Sequence, residues 1–178
     1  LPPNYEISRF NDMSYYVKRR LDVLISNGIL GFILVAASLF LALGWRIALV
    51  TALGIPFAMF ATFIWMGYAD IGINLMSMFG LIMVLGMLVD DAIVVSENIY
   101  RHIEEGHGLK DSVINGTLEV ITPVAGTVAT TVVAFAPLMF MKGIMGKFMW
   151  MLPAVVIVSL IASWIECMFI LPSHIYEL

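Results

Sequence analysis

Asp90 and Asp91 stand side by side in a stretch otherwise dominated by apolar residues, from Leu75 to Val95. A side chain ionised at the centre of a bilayer costs roughly 2.5 to 3.5 kcal/mol on insertion scales. An adjacent pair in that setting is therefore expected to be functional. Two carboxyls sharing a poorly solvated site titrate as a unit, and the chemistry open to them is uptake and release of protons. On an ideal helix Glu97, seven residues after Asp90, returns to within about 20° of its face, which makes one stripe of this helix acidic. Glu166, in a later apolar stretch, either lines the same polar interior or reaches toward the interface near Pro172 and His174. Asp90 and Asp91 are the proton-relay candidates, with Glu97 and Glu166 as further acids on a proton path.

A structural reading competes with this one. Asp90 and Asp91 would stay protonated and hydrogen-bond Thr127, Thr130, Thr131 or Ser159 across a helix interface. A basic partner would favour ionisation, but the other apolar stretches hold no Lys or Arg near their middle. Any such partner has to come from elsewhere in the protein.

The elements that must position these acids are membrane helices. Of 178 residues, 61% are hydrophobic and 12% charged, about half the charged share of an ordinary soluble domain. Crossing a hydrocarbon core about 30 Å thick takes about 20 apolar residues. Five stretches qualify, at about 28–44, 47–69, 75–100, 120–141 and 149–171. The expected fold is an all-α polytopic membrane bundle of five transmembrane helices, with 1–27 as a lead-in and 173–178 as a tail. In the lead-in, Val17, Leu21, Leu24 and Ile25 recur at helical spacing among Lys18, Arg19, Arg20 and Asp22, which predicts an amphipathic helix running into the membrane. The connection from Arg101 to Glu119 carries a second amphipathic stretch (Leu109, Val113, Leu118) expected along the membrane surface. Trp45, Trp65, Tyr68, Tyr100 and Trp150 fall near span ends, as an interfacial aromatic belt would place them. Gly80 and Gly86, Gly54 with Pro56, and Pro123, Gly126 and Pro137 allow close helix approach and bending.

Other signals carry little. The net charge of −4 arises from scattered acids and does not imply nucleic acid. The single cysteine, Cys167, reads as a small packing residue. His102, Glu104, Glu105 and His107 lack the strict spacing of a metal site and read as a solvated loop, so no metal is expected. Asn115-Gly116-Thr117 matches a glycosylation sequon but is equally a turn signal. The opening residues lack the pattern of a signal peptide, and the chain reads as an internal segment. Lys and Arg near the span ends favour a cytoplasmic N-terminus, with Lys18, Arg19, Arg20, Lys142 and Lys147 on one side against Arg46, Arg101 and Lys110 on the other.

The run SMFGLIMVLGMLVDDAIVVSENI, Ser77 to Ile99, closely resembles the fourth transmembrane helix of resistance-nodulation-division (RND) efflux transporters of the hydrophobe/amphiphile, acriflavine-resistance-like type. LGIPFAMFATF, EVITPVAGTVATTVVAFAPLMF and the end of the last stretch through LPSHI resemble that family's neighbouring helices, so the likeness covers helices two to six. It implies a fragment of a twelve-helix, proton-driven exporter of the bacterial inner membrane. It also implies a homotrimer working with a periplasmic adaptor and an outer-membrane channel, and a proton relay at Asp90 and Asp91 whose basic and hydroxyl partners come from the second six-helix half. Protons would be the coupling ion, no cofactor is implied, and lipid surrounds the bundle. The family also implies a periplasmic N-terminal end, against the charge count; an earlier helix would fix that orientation.

Related exporters of heavy metals tend to replace the second aspartate, so the intact pair favours multidrug or amphiphile export. A non-transporting sensor or scaffold of the same fold is a further alternative. An intramembrane aspartyl protease, the enzyme reading, needs two facing carboxyls on separate helices and a Gly-x-Gly-Asp pattern, neither of which is met here.

Overall fold

The computed structural model describes residues 13–177. Helix α1 spans Met13–Ala42, α2 Trp45–Tyr68, α3 Leu75–Glu104, α4 Leu109–Met139, α5 Gly143–Met149 and α6 Met151–Ile165. A π-helical turn, Glu166–Ile170, joins α6 to α7, Leu171–Tyr176. Five helical stretches are long and apolar enough to cross a membrane, the fifth running from Gly143 to Tyr176. Among the described residues there is no strand. The reason is solvent: in hydrocarbon every backbone polar group must be satisfied within its own segment, and a helix does that.

From Met13 onward the lead-in is the first part of α1, a helix continuous with the first span, and residues 1–12 of that expectation lie outside the described residues. Two elements differ from the sequence reading. The stretch around Leu109 and Val113 is the start of α4 rather than a surface helix. Val113 is buried in the core while Leu109 and Leu118 are exposed. Helical hydrogen bonding continues without a break through Asn115 and Gly116, so the sequon lies inside a helix and not at a turn, with Gly116 and Thr117 buried. The last crossing is not one regular helix either, because the π turn interrupts it at Glu166.

Helix α3 sits at the centre, in contact with α1, α2, α4 and α6. Its start is set by Asn74. The Asn74 side chain accepts from the backbone N–H groups of Met76 (2.9 Å) and Ser77 (3.1 Å), and the Ser77 hydroxyl accepts from Asn74 N–H at 2.9 Å. This reciprocal cap satisfies donors that a helix end leaves open. Asn74 also reaches Met151 Sδ at 3.0 Å, which ties the start of α3 to the start of α6.

Without a hydrophobic drive between helices in lipid, close packing has to hold the bundle, and small residues permit it. A methyl added at Gly80 would sit 3.1 Å from the Leu152 carbonyl oxygen, so α3 and α6 touch backbone to backbone there. One added at Gly116 would lie 2.8 Å from Ile99 Cα, where α4 crosses α3. Buried Val84, Leu88, Leu152, Val156 and Leu160 fill the middle of the α3–α6 contact. Thr62 of α2 donates to Ser159 of α6 at 3.0 Å within that core.

Candidate functional site

The register of α3 separates the two aspartates. Successive residues on a helix turn by about 100°, so neighbours point in different directions. Asp91 turns inward and is 9% exposed, whereas Asp90 is exposed. Both line a cleft of about 310 Å³ between α3, α4 and α6, where Pro123, Thr127 and Thr131 form the α4 wall. Asp90 also borders a second cleft, of about 290 Å³, shared with Asn27 and Gly31 of α1 and Gly86 of α3. One carboxyl thus opens to both sides of α3 and the other faces the bundle.

Asp91 Oδ2 is buried and has no hydrogen-bond partner. In a low-dielectric interior such an atom is costly, and its retention calls for an explanation. The hydroxyls that the structural reading assigned to it are directed elsewhere. Thr127 donates to the Val124 carbonyl at 2.8 Å, and Thr130 and Thr131 both donate to the Thr127 carbonyl. Ser159 donates to Val155 and accepts from Thr62. Thr127 and Thr131 therefore stand beside the aspartates in the cleft without a hydrogen bond to them, and the interface that reading required is not formed.

Of the other sequence-derived candidates, Glu97 is exposed, about 10 Å farther along the α3 axis, and does not line the aspartate cleft. Glu166 is buried at 4% exposure beside α2, also outside that cleft. Its carboxyl packs on Gly54. Gly86 and Gly126 have nothing within 4 Å of an added methyl and are not points of close approach, in contrast with Gly54 and Gly80. Pro137 lies in the last turn of α4, where its carbonyl accepts from Phe140 N–H.

A polar network at the far end of α3 went unread in the sequence. Glu119 of α4 accepts from Asn98 Nδ2 at 3.1 Å and from Arg101 Nη2 at 3.0 Å, and lies 3.2 Å from His102 Nε2. Asn98 also donates to the Gly116 carbonyl at 2.7 Å. These contacts clamp α3 to α4 at the Gly116 crossing. Asn98, Arg101 and His102 recur at three to four residues on one face, a spacing that would have revealed the stripe had α4 been expected to begin at Leu109. His102 is therefore buried rather than part of a solvated loop. Ligand atoms of His102, Glu105 and His107 lie within 4.8 Å of one another, and Glu104 is not among them.

The acidic pair near the middle of a five-helix membrane bundle is the arrangement to compare with known proteins. The model of the AcrB/AcrD/AcrF family matches residues 1–175. This chain belongs to that family. It is 32% identical over 168 residues to the multidrug resistance protein MdtC of Pectobacterium atrosepticum, an alignment covering 92% of the chain and 16% of that protein. An uncharacterized transporter of Haemophilus influenzae is 36% identical over 102 residues, covering 57% of the chain and 10% of that protein. The crystal structure of a heavy metal efflux pump superposes with a TM-score of 0.76 at 27% identity, covering 97% of this chain and 17% of that one. The family member described here thus covers between a tenth and about a sixth of the length of these proteins.

Proposed function

We propose that this chain is the proton-handling part of the membrane domain of a proton-driven exporter in the bacterial inner membrane, exchanging protons for drugs or amphiphiles. The observation that carries the reading is the split environment of Asp90 and Asp91. One carboxyl opens to clefts on both sides of α3, and the other is enclosed with an unpartnered oxygen. Adding a proton to this pair removes a charge from the middle of the bundle. The cost of leaving the α3 face open or covering it changes with that charge, and this links proton occupancy to helix packing. Export is the work the cycle would drive; MdtC, a multidrug resistance protein, is the relative that supports drugs or amphiphiles as cargo.

The open side of α3 supports a second assignment. Asp90 shares one cleft with Thr127 and the other with Asn27, and all three are exposed. Thr127 bonds its own helix, but lipid tails cannot satisfy Asp90 and Asn27, so protein or water has to meet them. A second helical half of the same transporter, supplying the cationic partner, is the occupant we assign. A homotrimer, a periplasmic adaptor, an outer-membrane channel and a periplasmic N-terminal end belong to the same proposal. Heavy-metal export is the second reading, supported by the structural likeness to a heavy metal efflux pump.

Efflux from cells expressing the full-length protein tests the assignment. Asp90→Asn and Asp91→Asn are each expected to reduce export to the level of cells lacking the transporter, as a proton uncoupler does to the unaltered protein, with assembly preserved. Undiminished export by both variants would refute a proton relay at this pair. Export of metal ions rather than of dyes and detergents would move the substrate class to the second reading.

A further inference from the structure

Among the described residues only two carboxyl side chains are buried, Asp91 and Glu166, and the acidic pair accounts for the first alone. The place of Glu166 is made by two local features. A π turn begins at this residue, with Leu171 N–H donating to the Glu166 carbonyl, and such turns re-aim side chains and are frequent at functional positions. Opposite, α2 has glycine. A methyl at Gly54 would lie 2.7 Å from Glu166 Cδ and 2.8 Å from Oε2, so the carboxyl occupies the room a side chain would take.

Polar groups lead from this carboxyl toward Asp91 through an otherwise apolar interface. Cys167 Sγ donates to Glu166 Oε2 at 3.3 Å and lies 3.9 Å from Ser163 Oγ. The Ser163 hydroxyl donates to the Leu88 carbonyl at 3.4 Å, about one turn before Asp91 on α3. Asp91 lies within electrostatic reach of Cys167, and His174, exposed on α7, lies within reach of Glu166. The titratable groups facing the carboxyl are therefore Cys167 on its own turn and His174 on α7, while α2 presents only Gly54 and Asp91 of α3 is reached only beyond Cys167. Buried polar atoms in a membrane interior are retained where they are used.

We propose that Glu166 is a second proton-holding carboxyl on the same path as Asp91, carrying the coupling proton between the acidic pair and the His174 end of the bundle. The inference rests on the proton-coupled reading above. In the transfer, the Asp91 carboxyl gives up its proton and the Glu166 carboxylate ends with one. The Ser163 hydroxyl bonds the Leu88 carbonyl rather than Asp91, so the transfer requires it to turn from that carbonyl to the Asp91 carboxyl. Ser163 and Cys167 then each accept a proton on one side and release their own on the other, and both end unchanged.

The test uses the full-length transporter reconstituted in liposomes with a pH-sensitive dye inside. Glu166→Gln is expected to slow proton-driven transport at least about tenfold, a modest value for the loss of a positioned proton-transfer group. Glu166→Asp is expected to restore part of the rate with a displaced pH profile, which a merely structural role would not do. Gly54→Ala is expected to act like Glu166→Gln, by displacing the carboxyl. In pH-difference infrared spectra, a carboxyl band assigned by its shift in Glu166→Asp is expected to titrate at a different pH when Asp91→Asn is introduced. If Asp91→Asn is inactive while Glu166→Gln transports at the normal rate and pH profile, the path bypasses Glu166 and only this inference falls. If Asp91→Asn also transports normally, the proton-coupled reading falls and this inference with it. Where Glu166→Gln does not assemble, an infrared band indifferent to Asp91→Asn overturns the proposal.

Discussion

Two regions of the bundle are built to different standards. Half of the apolar stretch of α3 and 56% of that of the fifth crossing are buried inside the bundle, against 6% for α1 and for α4. Along α4 the buried residues end at Val124. The packed side uses glycine where backbones meet, at Gly80 and Gly116, and where a carboxyl needs room, at Gly54, and a hydrogen bond joins two helices there, from Thr62 to Ser159. On the open side, Gly31 and Gly126 touch nothing, and Thr127, Thr130 and Thr131 of α4 give their protons only to their own helix backbone. Asp90 and Asp91 stand on the border between the two. The contrast teaches that a residue type carries no fixed meaning in such a bundle: Gly116 is a helix crossing and Gly126, ten residues on, is open surface.

Substitutions can break or sharpen this contrast. The largest effect is expected for Gly116→Ala, because the added methyl meets Ile99 backbone atoms that no side-chain rotation can move. Overpacking of this kind costs about 1 to 3 kcal/mol, and thermal unfolding of the full-length protein in detergent would register it. A normal melting temperature would mean that α3 and α4 do not cross there. Thr62→Val removes the buried α2–α6 hydrogen bond and is expected to cost about 0.6 kcal/mol, the mean for such bonds in membrane proteins, measurable by the same unfolding experiment. The smallest change is expected for Gly126→Ala, within about 0.5 kcal/mol if its face meets lipid or water. A loss like that of Gly116→Ala would instead locate a packed neighbour on the open side, where the second half is assigned.

The helices could be read from residue types because the membrane leaves little choice: about 20 apolar residues in a row must be helical to satisfy their own backbone. Asp90 and Asp91 were legible for the same reason, as charges stand out where charges are costly. The clamp on Glu119 was not, because Asn98, Arg101 and His102 read as an ordinary helix end until α4 is known to start at Leu109 and to cross at Gly116. The place of Glu166 was open for a similar reason. Whether a carboxyl near a span end is enclosed or reaches headgroup water depends on the neighbouring helix, and here that helix has a glycine opposite it.

By itself, then, the sequence determined a membrane helix bundle with an acidic pair within one span, since hydrophobic length and the cost of charge act locally along the chain. Only the tertiary structure decided that Asp91 faces inward while Asp90 opens to two clefts, that Gly80 and Gly116 are crossing points and Gly86 and Gly126 are not, and that Glu166 packs on Gly54. Those outcomes depend on which helix lies beside which, and close packing between distant segments leaves no periodicity in either one.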